Sequence, residues 1–240
     1  MTLTMEDGAV RILDSLMKTS GTGFLAKDSA FVVTCAHVVE AAGGGPQSIL
    51  TLETLRGRRR LTGRVIAWSP SDSADIAVLR VEQDRASLPE AVRPLPFGVV
   101  SSSERRTFRT FGFPAAKPEE GLPGLCEVVG TTTDQGYPVI TLRSVEIDKG
   151  FSGAPVWDDD LAVVVGMVVS FIRGKPVSFI IPSETIWNIC DELRPSNECP
   201  YRGLEPFTVD HVNEYFGRDT AVRELVEKLR DRRLARISHK

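Results

Sequence analysis

Cysteine is scarce in this chain. There are four in 240 residues, at positions 35, 126, 190 and 199, and no pair has C-x-x-C spacing. A zinc ribbon or a dithiol redox centre is therefore not expected, and the four read as free thiols of a reducing compartment. Long apolar runs are also missing, and nothing approaches the roughly 20 residues that span a bilayer. Residues 1–7 lack the basic and apolar stretches of a secretory signal. A cytoplasmic location without a membrane partner is the expectation. Neither sign of charge dominates: 29 basic and 32 acidic residues leave a net charge of −3, so bulk electrostatics does not point to nucleic acid. No G-x-x-x-x-G-K-[ST] string follows Gly43-Gly44-Gly45-Pro46 or occurs elsewhere, which excludes a phosphate loop. No metal site and no cofactor are expected.

What is present is a globular composition, 42% hydrophobic and 25% charged, long enough for one large domain and a short appendage. About a dozen short β-branched runs recur at regular spacing with turn residues between them. The clearest are 21–26, 31–34, 48–55, 60–68, 76–81, 109–113, 125–133, 138–143, 154–157, 161–171 and 177–181. Little helix is expected: one turn over 36–41 and a terminal helix that Pro182-Ser183-Glu184-Thr185 starts and that runs through 193. Residues 1–18 read as a short amphipathic segment packed on the sheet. This pattern argues for an all-β fold. The basic turn Arg56-Gly57-Arg58-Arg59 reads as a solvated hairpin tip. The segment 88–100, with Pro89, Pro94 and Pro96, reads as a crossover between two halves.

One stretch organises the chemistry: Lys149-Gly150-Phe151-Ser152-Gly153-Ala154-Pro155. Glycines on both sides of a serine allow a tight turn that presents the hydroxyl. The backbone N–H groups of Gly150 and Ser152 could then converge as an oxyanion hole. Serine needs a base and an orienting acid. His37 follows the strand Phe31–Thr34, and Asp75 opens the strand Ile76–Val81. Asp72 is the rival acid, but it lies among serines and reads as a turn cap, whereas Asp75 abuts an apolar strand. Cys35, two residues before His37, is a conceivable second nucleophile, against its reading as a small buried residue.

The order His37, Asp75, Ser152 is one of the three known for Ser-His-Asp triads. With Ser20-Gly21-Thr22-Gly23-Phe24, Thr34-Cys35-Ala36-His37, Asp75-Ile76-Ala77-Val78-Leu79 and Gly150-Phe151-Ser152-Gly153-Ala154-Pro155, residues 15–190 resemble the trypsin-like serine proteases, in their HtrA-type branch. The resemblance implies two six-stranded antiparallel β-barrels and a catalytic triad of His37, Asp75 and Ser152. It implies an endopeptidase acting on a protein or peptide substrate, the alternative being a catalytically silent protease-fold interaction module. Val38 stands where the secreted relatives carry a cysteine. Phe151 stands where they carry an aspartate that receives a new N-terminus, so activation by that ion pair is excluded. Glu146 falls near the expected floor of the primary specificity pocket and would favour lysine or arginine. The alternative is that Glu146 faces solvent and Val168, Val169 and Ser170 form an apolar pocket.

Composition changes after Pro195. The segment 199–219, Cys199-Pro200-Tyr201-Arg202-Gly203-Leu204-Glu205-Pro206-Phe207 with Tyr215-Phe216-Gly217-Arg218-Asp219, resembles the opening of bacterial STAND-type (NLR-related) ATPase modules. An amphipathic helix is expected over 221–234. The domains expected are 1–194, the protease, and 195–240, a linker and the helical start of that module, without its Walker A loop. The resemblance implies an effector domain in antiphage defence or conflict. It also implies self-association through the module, with assembly ordering the nucleophile loop.

Overall fold

The structure is a computed structural model that describes residues 2–99, 107–171 and 175–195. These residues belong to the first of two units, which ends at Pro195. Cys199 and the helix expected over 221–234 lie outside the described residues.

Among the described residues, twelve strands close into two barrels. The first comprises β1 (Ala9–Leu13), β2 (Thr19–Ala26), β3 (Phe31–Thr34), β4 (Ile49–Thr54), β5 (Arg60–Ser69) and β6 (Ile76–Val81). Its order is β1-β2-β3-β6-β5-β4, and β4 pairs back onto β1. The second comprises β7 (Thr107–Gly112), β8 (Leu122–Asp134), β9 (Tyr137–Arg143), β10 (Pro155–Asp158), β11 (Val163–Phe171) and β12 (Val177–Pro182). Its order is β10-β11-β12-β9-β8-β7, closed by β10 against β7. Read from their first strands, the two barrels have the same connectivity. Closure leaves no free sheet edge, which is how antiparallel proteins avoid exposing unpaired backbone.

Local sequence explains most of these strands. In β5, Leu61 and Val65 point inward while Arg60 and Arg64 face solvent, the period of two expected of a half-buried strand. In β3 and β6 nearly every residue is buried, hence their continuous Val/Ile/Leu runs. The segment expected to be amphipathic, residues 1–18, contains a barrel strand instead. All five residues of β1 are buried, so no alternation was there to read. Arg11 tolerates burial because its guanidinium meets Glu53 at 2.5 Å.

The crossover touches both barrels. Leu95 bridges to Ala26 and Phe97 to Val164. The Phe97 ring packs edge-on between Phe24 and Trp187, at 5.8 and 6.1 Å between centroids. Trp187 belongs to the terminal helix α2 (Ser183–Ile189). That helix breaks at Cys190, which is extended, and resumes as a 3-10 turn over Asp191–Leu193. At the basic hairpin tip, Arg56 pairs with Asp7 and Arg58 with Glu53, so two of its three arginines have partners within the fold, and Arg60 at the start of β5 also pairs with Glu53.

Candidate active site

Strand register brings His37 and Asp75 together. β3 and β6 run antiparallel with Thr34 opposite Ala77, so the chain leaves β3 where it enters β6. His37 lies in the first turn of α1 (Ala36–Ala41) and Asp75 immediately before Ile76. Asp75 is buried, and its carboxylate holds the histidine twice. One oxygen accepts the His37 backbone N–H at 3.0 Å and the other lies 2.6 Å from Nδ1. A carboxylate at Nδ1 selects the tautomer whose Nε2 is free to accept a proton.

Asp75 adopts φ +53, a left-handed conformation that aspartate tolerates better than most residues. Its loop is tightly braced. The N–H groups of Ser73 and Asp75 both donate to Pro70 O, at 2.9 and 3.1 Å. Ser69 Oγ accepts from the Ala74 N–H and donates to Ser73 Oγ. Ser73 donates in turn to the Tyr137 hydroxyl at 3.2 Å, which ties the loop to the second barrel. Asp72 is exposed, and backbone bonds to Pro70 close the turn.

The nucleophile loop connects β9 to β10. Gly150 and Gly153 have φ +106 and +85. A Cβ at Gly153 would lie 2.0 Å from Thr22 O, and one at Gly150 would lie 2.4 Å from Phe113 O. Only glycine fits either place. The Phe151 N–H donates to Asp148 O at 3.0 Å and the Gly153 N–H to Val168 O at 2.8 Å. Among the described residues, no acceptor takes the N–H of Gly150 or of Ser152. The two groups expected to form the oxyanion hole are thus those left without partners.

Thr22 holds this loop from the first barrel. Its N–H donates to Ser152 O at 3.0 Å. Its hydroxyl donates to Gly150 O at 2.7 Å and accepts the Phe113 N–H at 3.0 Å. Sequence reasoning placed Thr22 on a strand and missed this role. The signal available was a polar residue, now fully buried, between two glycines.

His37, Asp75 and Ser152 line one cleft of about 530 Å³, with Val169 and Ser170 on its wall. The Ser152 hydroxyl donates to Val169 O at 3.4 Å. Catalytic hydrogen bonds are often loose before substrate binds and tighten in the complex. Ser170, expected to contact substrate, lines the cleft. Glu146 does not: it is exposed and accepts from Ser144 Oγ at 3.1 Å. The expected buried carboxylate is therefore corrected. The segment turns at Ser144, and Ile147 takes the inward position instead.

Cys35 Sγ, His37 Nδ1 and an Asp75 oxygen lie within 4.8 Å of one another, and these donor types suit a metal. However, both Asp75 oxygens already engage His37. Cys35 is fully buried, and burial, aided by the Asp75 charge, pushes its thiol well above the usual range. A protonated thiol neither ligates a metal nor attacks carbonyl carbon. The cluster fits a Ser-His-Asp constellation better than a metal site or a second nucleophile. Cys126 and Cys190 are also buried and free.

Residues 21–167 match the family described as trypsin-like peptidase domain, and residues 200–238 match the family described as novel STAND NTPase 1. A probable periplasmic serine endoprotease DegP-like of Halomonas elongata is 25% identical over 185 residues, 74% of this chain and 35% of that protein. The putative serine protease HhoB of Synechocystis sp. is 24% identical over 201 residues, 79% of this chain and 44% of that protein. The chain thus spans less than half the length of these curated relatives. Among solved structures, the active form of the Rv3671c protease from M. tuberculosis superposes with a TM-score of 0.61 at 20% identity, covering 85% of each chain. The HtrA-type protease AlgW with a tripeptide gives 0.60 at 18% identity, covering 78% of this chain and 60% of that one. No helix among the described residues is long and apolar enough to cross a membrane.

Proposed function

This chain belongs to the trypsin-like peptidase family, and we propose that it is a serine endopeptidase in which Ser152 attacks the peptide carbonyl, His37 moves the proton and Asp75 holds the imidazole. The supporting observation is the pair of hydrogen bonds that the Asp75 carboxylate accepts from His37 at the edge of the cleft that contains Ser152. Ser152 Oγ adds to the carbonyl carbon while its proton passes to His37 Nε2. The N–H groups of Gly150 and Ser152 receive the developing oxyanion, a contribution of about 3–4 kcal/mol per donor. His37 then returns the proton to the leaving amine, and water repeats the sequence on the acyl-enzyme. Val169 and Ser170 face the substrate. With Val169 and Ser170 on the cleft wall and Glu146 outside it, an uncharged side chain at the scissile position is favoured over a basic one.

The STAND match over 200–238 supports a finer reading: an intracellular effector domain whose neighbouring module self-associates during conflict or antiphage defence. The experiment for the chemistry is labelling by a fluorophosphonate probe together with peptide hydrolysis. The parent chain is labelled and cleaves, whereas Ser152→Ala does neither and keeps its thermal unfolding midpoint. Labelling of Ser152→Ala at the parent rate overturns the nucleophile assignment. An unlabelled, inactive parent supports the interaction-module reading.

A further inference from the structure

Phe151 separates the two residues whose N–H groups lack acceptors among the described residues, and its own side chain is buried. Its ring is 1% exposed and belongs to the apolar core of the second barrel, with Phe108, Leu142 and Ile180. The ring rests on two glycines of neighbouring strands, Gly112 of β7 and Gly124 of β8, where Gly112 faces Leu122 and Gly124 faces Thr110. A Cβ at Gly112 would lie 2.7 Å from Cδ1 of the ring and 3.0 Å from the Phe151 Cα. A Cβ at Gly124 would come within 3.5 Å of Cε1. The strands are therefore without side chains where the ring and its backbone approach. On either side of the ring the backbone is pinned: the Phe151 N–H donates to Asp148 O and its carbonyl accepts the Ala154 N–H at 2.8 Å. With the ring seated inward, the peptide planes on both sides are set.

We propose that Phe151 is a positioning residue for the oxyanion hole, its ring seated in the Gly112–Gly124 slot so that the N–H groups of Gly150 and Ser152 face the cleft. Apolar burial here does what an ion pair to a carboxylate at the same place could do: it draws the middle residue of the loop into the barrel and leaves its neighbours facing outward. Burial of an apolar ring is favourable, so the loop conformation that seats it is preferred over one that exposes it. The inference rests on the serine-endopeptidase reading above.

The test compares Phe151→Ala, Gly112→Ala and Phe108→Ala with the parent 240-residue chain. Phe108→Ala removes a ring of the same size from the same core at a residue that does not line the cleft, and serves as the control for lost packing. Each folded protein is assayed for peptide hydrolysis and for affinity toward a peptide aldehyde. The Ser152 oxygen adds to the aldehyde carbon, its proton passes to His37, and the carbonyl oxygen becomes the hemiacetal oxyanion that occupies the hole. Phe151→Ala is expected to lower kcat about 100-fold, the scale of losing one oxyanion donor, with KM within about threefold and aldehyde affinity falling in parallel. Gly112→Ala, which keeps the ring but displaces it, is expected to move kcat and aldehyde affinity in the same direction. Phe108→Ala is expected to lower the unfolding midpoint comparably while leaving kcat unchanged. If Phe151→Ala does not fold, Phe151→Leu and Gly112→Ala carry the comparison. Parent-like kcat and aldehyde affinity in the folded Phe151 and Gly112 variants overturn the proposal. A parent that neither cleaves nor reacts with a fluorophosphonate overturns the underlying reading instead.

Discussion

One buried hydroxyl on the first barrel bonds to two backbone groups of the second: Thr22 donates to Gly150 O and accepts from the Phe113 N–H. Thr22→Val keeps the shape and strands both partners. A buried group left unpaired costs about 1–3 kcal/mol, so the free energy of unfolding in urea should fall by at least that amount while Thr22→Ser stays near the parent. Equal midpoints for the Val and Ser variants would show that the hydroxyl contributes nothing. The thiols make a second prediction. Burial raises Cys35, and burial followed by the Glu146 charge pushes Cys126 up to about 12. Iodoacetamide at pH 8 should therefore leave both unmodified in the native protein, by peptide mapping, and label them in urea. The proposed triad was legible because each member sits in a short contiguous motif: a strand followed by His37, Asp75 followed by a strand, Ser152 between glycines. Thr22 was not, because its partners lie 91 and 128 residues away. Glu146 was misplaced because counting back from Ser152 fixes a position along the chain but not which way a side chain turns.

At the scale of single elements, the nucleophile loop depends on the absence of one carbon atom. Gly153→Ala puts a Cβ 2.0 Å from Thr22 O and 2.5 Å from Thr34 Oγ1, at a φ that L-residues rarely adopt. Neither neighbour is a free end that can swing aside. A loss of at least about 2 kcal/mol is expected, read by chemical denaturation. The N-terminal 3-10 turn carries a pH dependence. Burial alone would raise the Asp7 carboxyl, but hydrogen bonds from the Thr4 backbone and from Arg93, with the Arg93 charge, outweigh it and hold the group below its usual value of 3.8. A depressed folded pKa contributes stability that is present above about pH 4 and is lost as pH falls below it. The gap in unfolding midpoint between the parent and Asp7→Asn should be full at pH 7 and narrow toward pH 3. A constant gap would assign the effect to geometry. The strand β1 shows where element-level reading stops. Its core-facing and outward-facing residues are both covered, so the pattern that marks β5 so clearly is absent.

For the whole molecule, sequence suggested that assembly orders the nucleophile loop. Within one chain, however, Thr22 and Phe151 already anchor it. Turnover of a short peptide should therefore be the same for the dilute chain and for a forced dimer, compared at equal site concentration. Clustering can still raise cleavage of a tethered protein partner, because linked modules reach effective concentrations of about a millimolar. A dimer that hydrolyses the short peptide tenfold faster would return the control to loop ordering.

The two barrels share one connectivity but not their chemistry. His37, Asp75 and Thr22 come from the first, Ser152 and Gly150 from the second. On the proposed mechanism, hydrolysis is a logical conjunction of two half-proteins, each a closed sheet that carries only part of the site. A cut between residues 99 and 107 would leave β1–β6 on one fragment and β7–β12 on the other. Co-expressed fragments 1–99 and 107–240 would then regain peptide cleavage in proportion to the product of their concentrations, so that the enzyme would count encounters between its own halves.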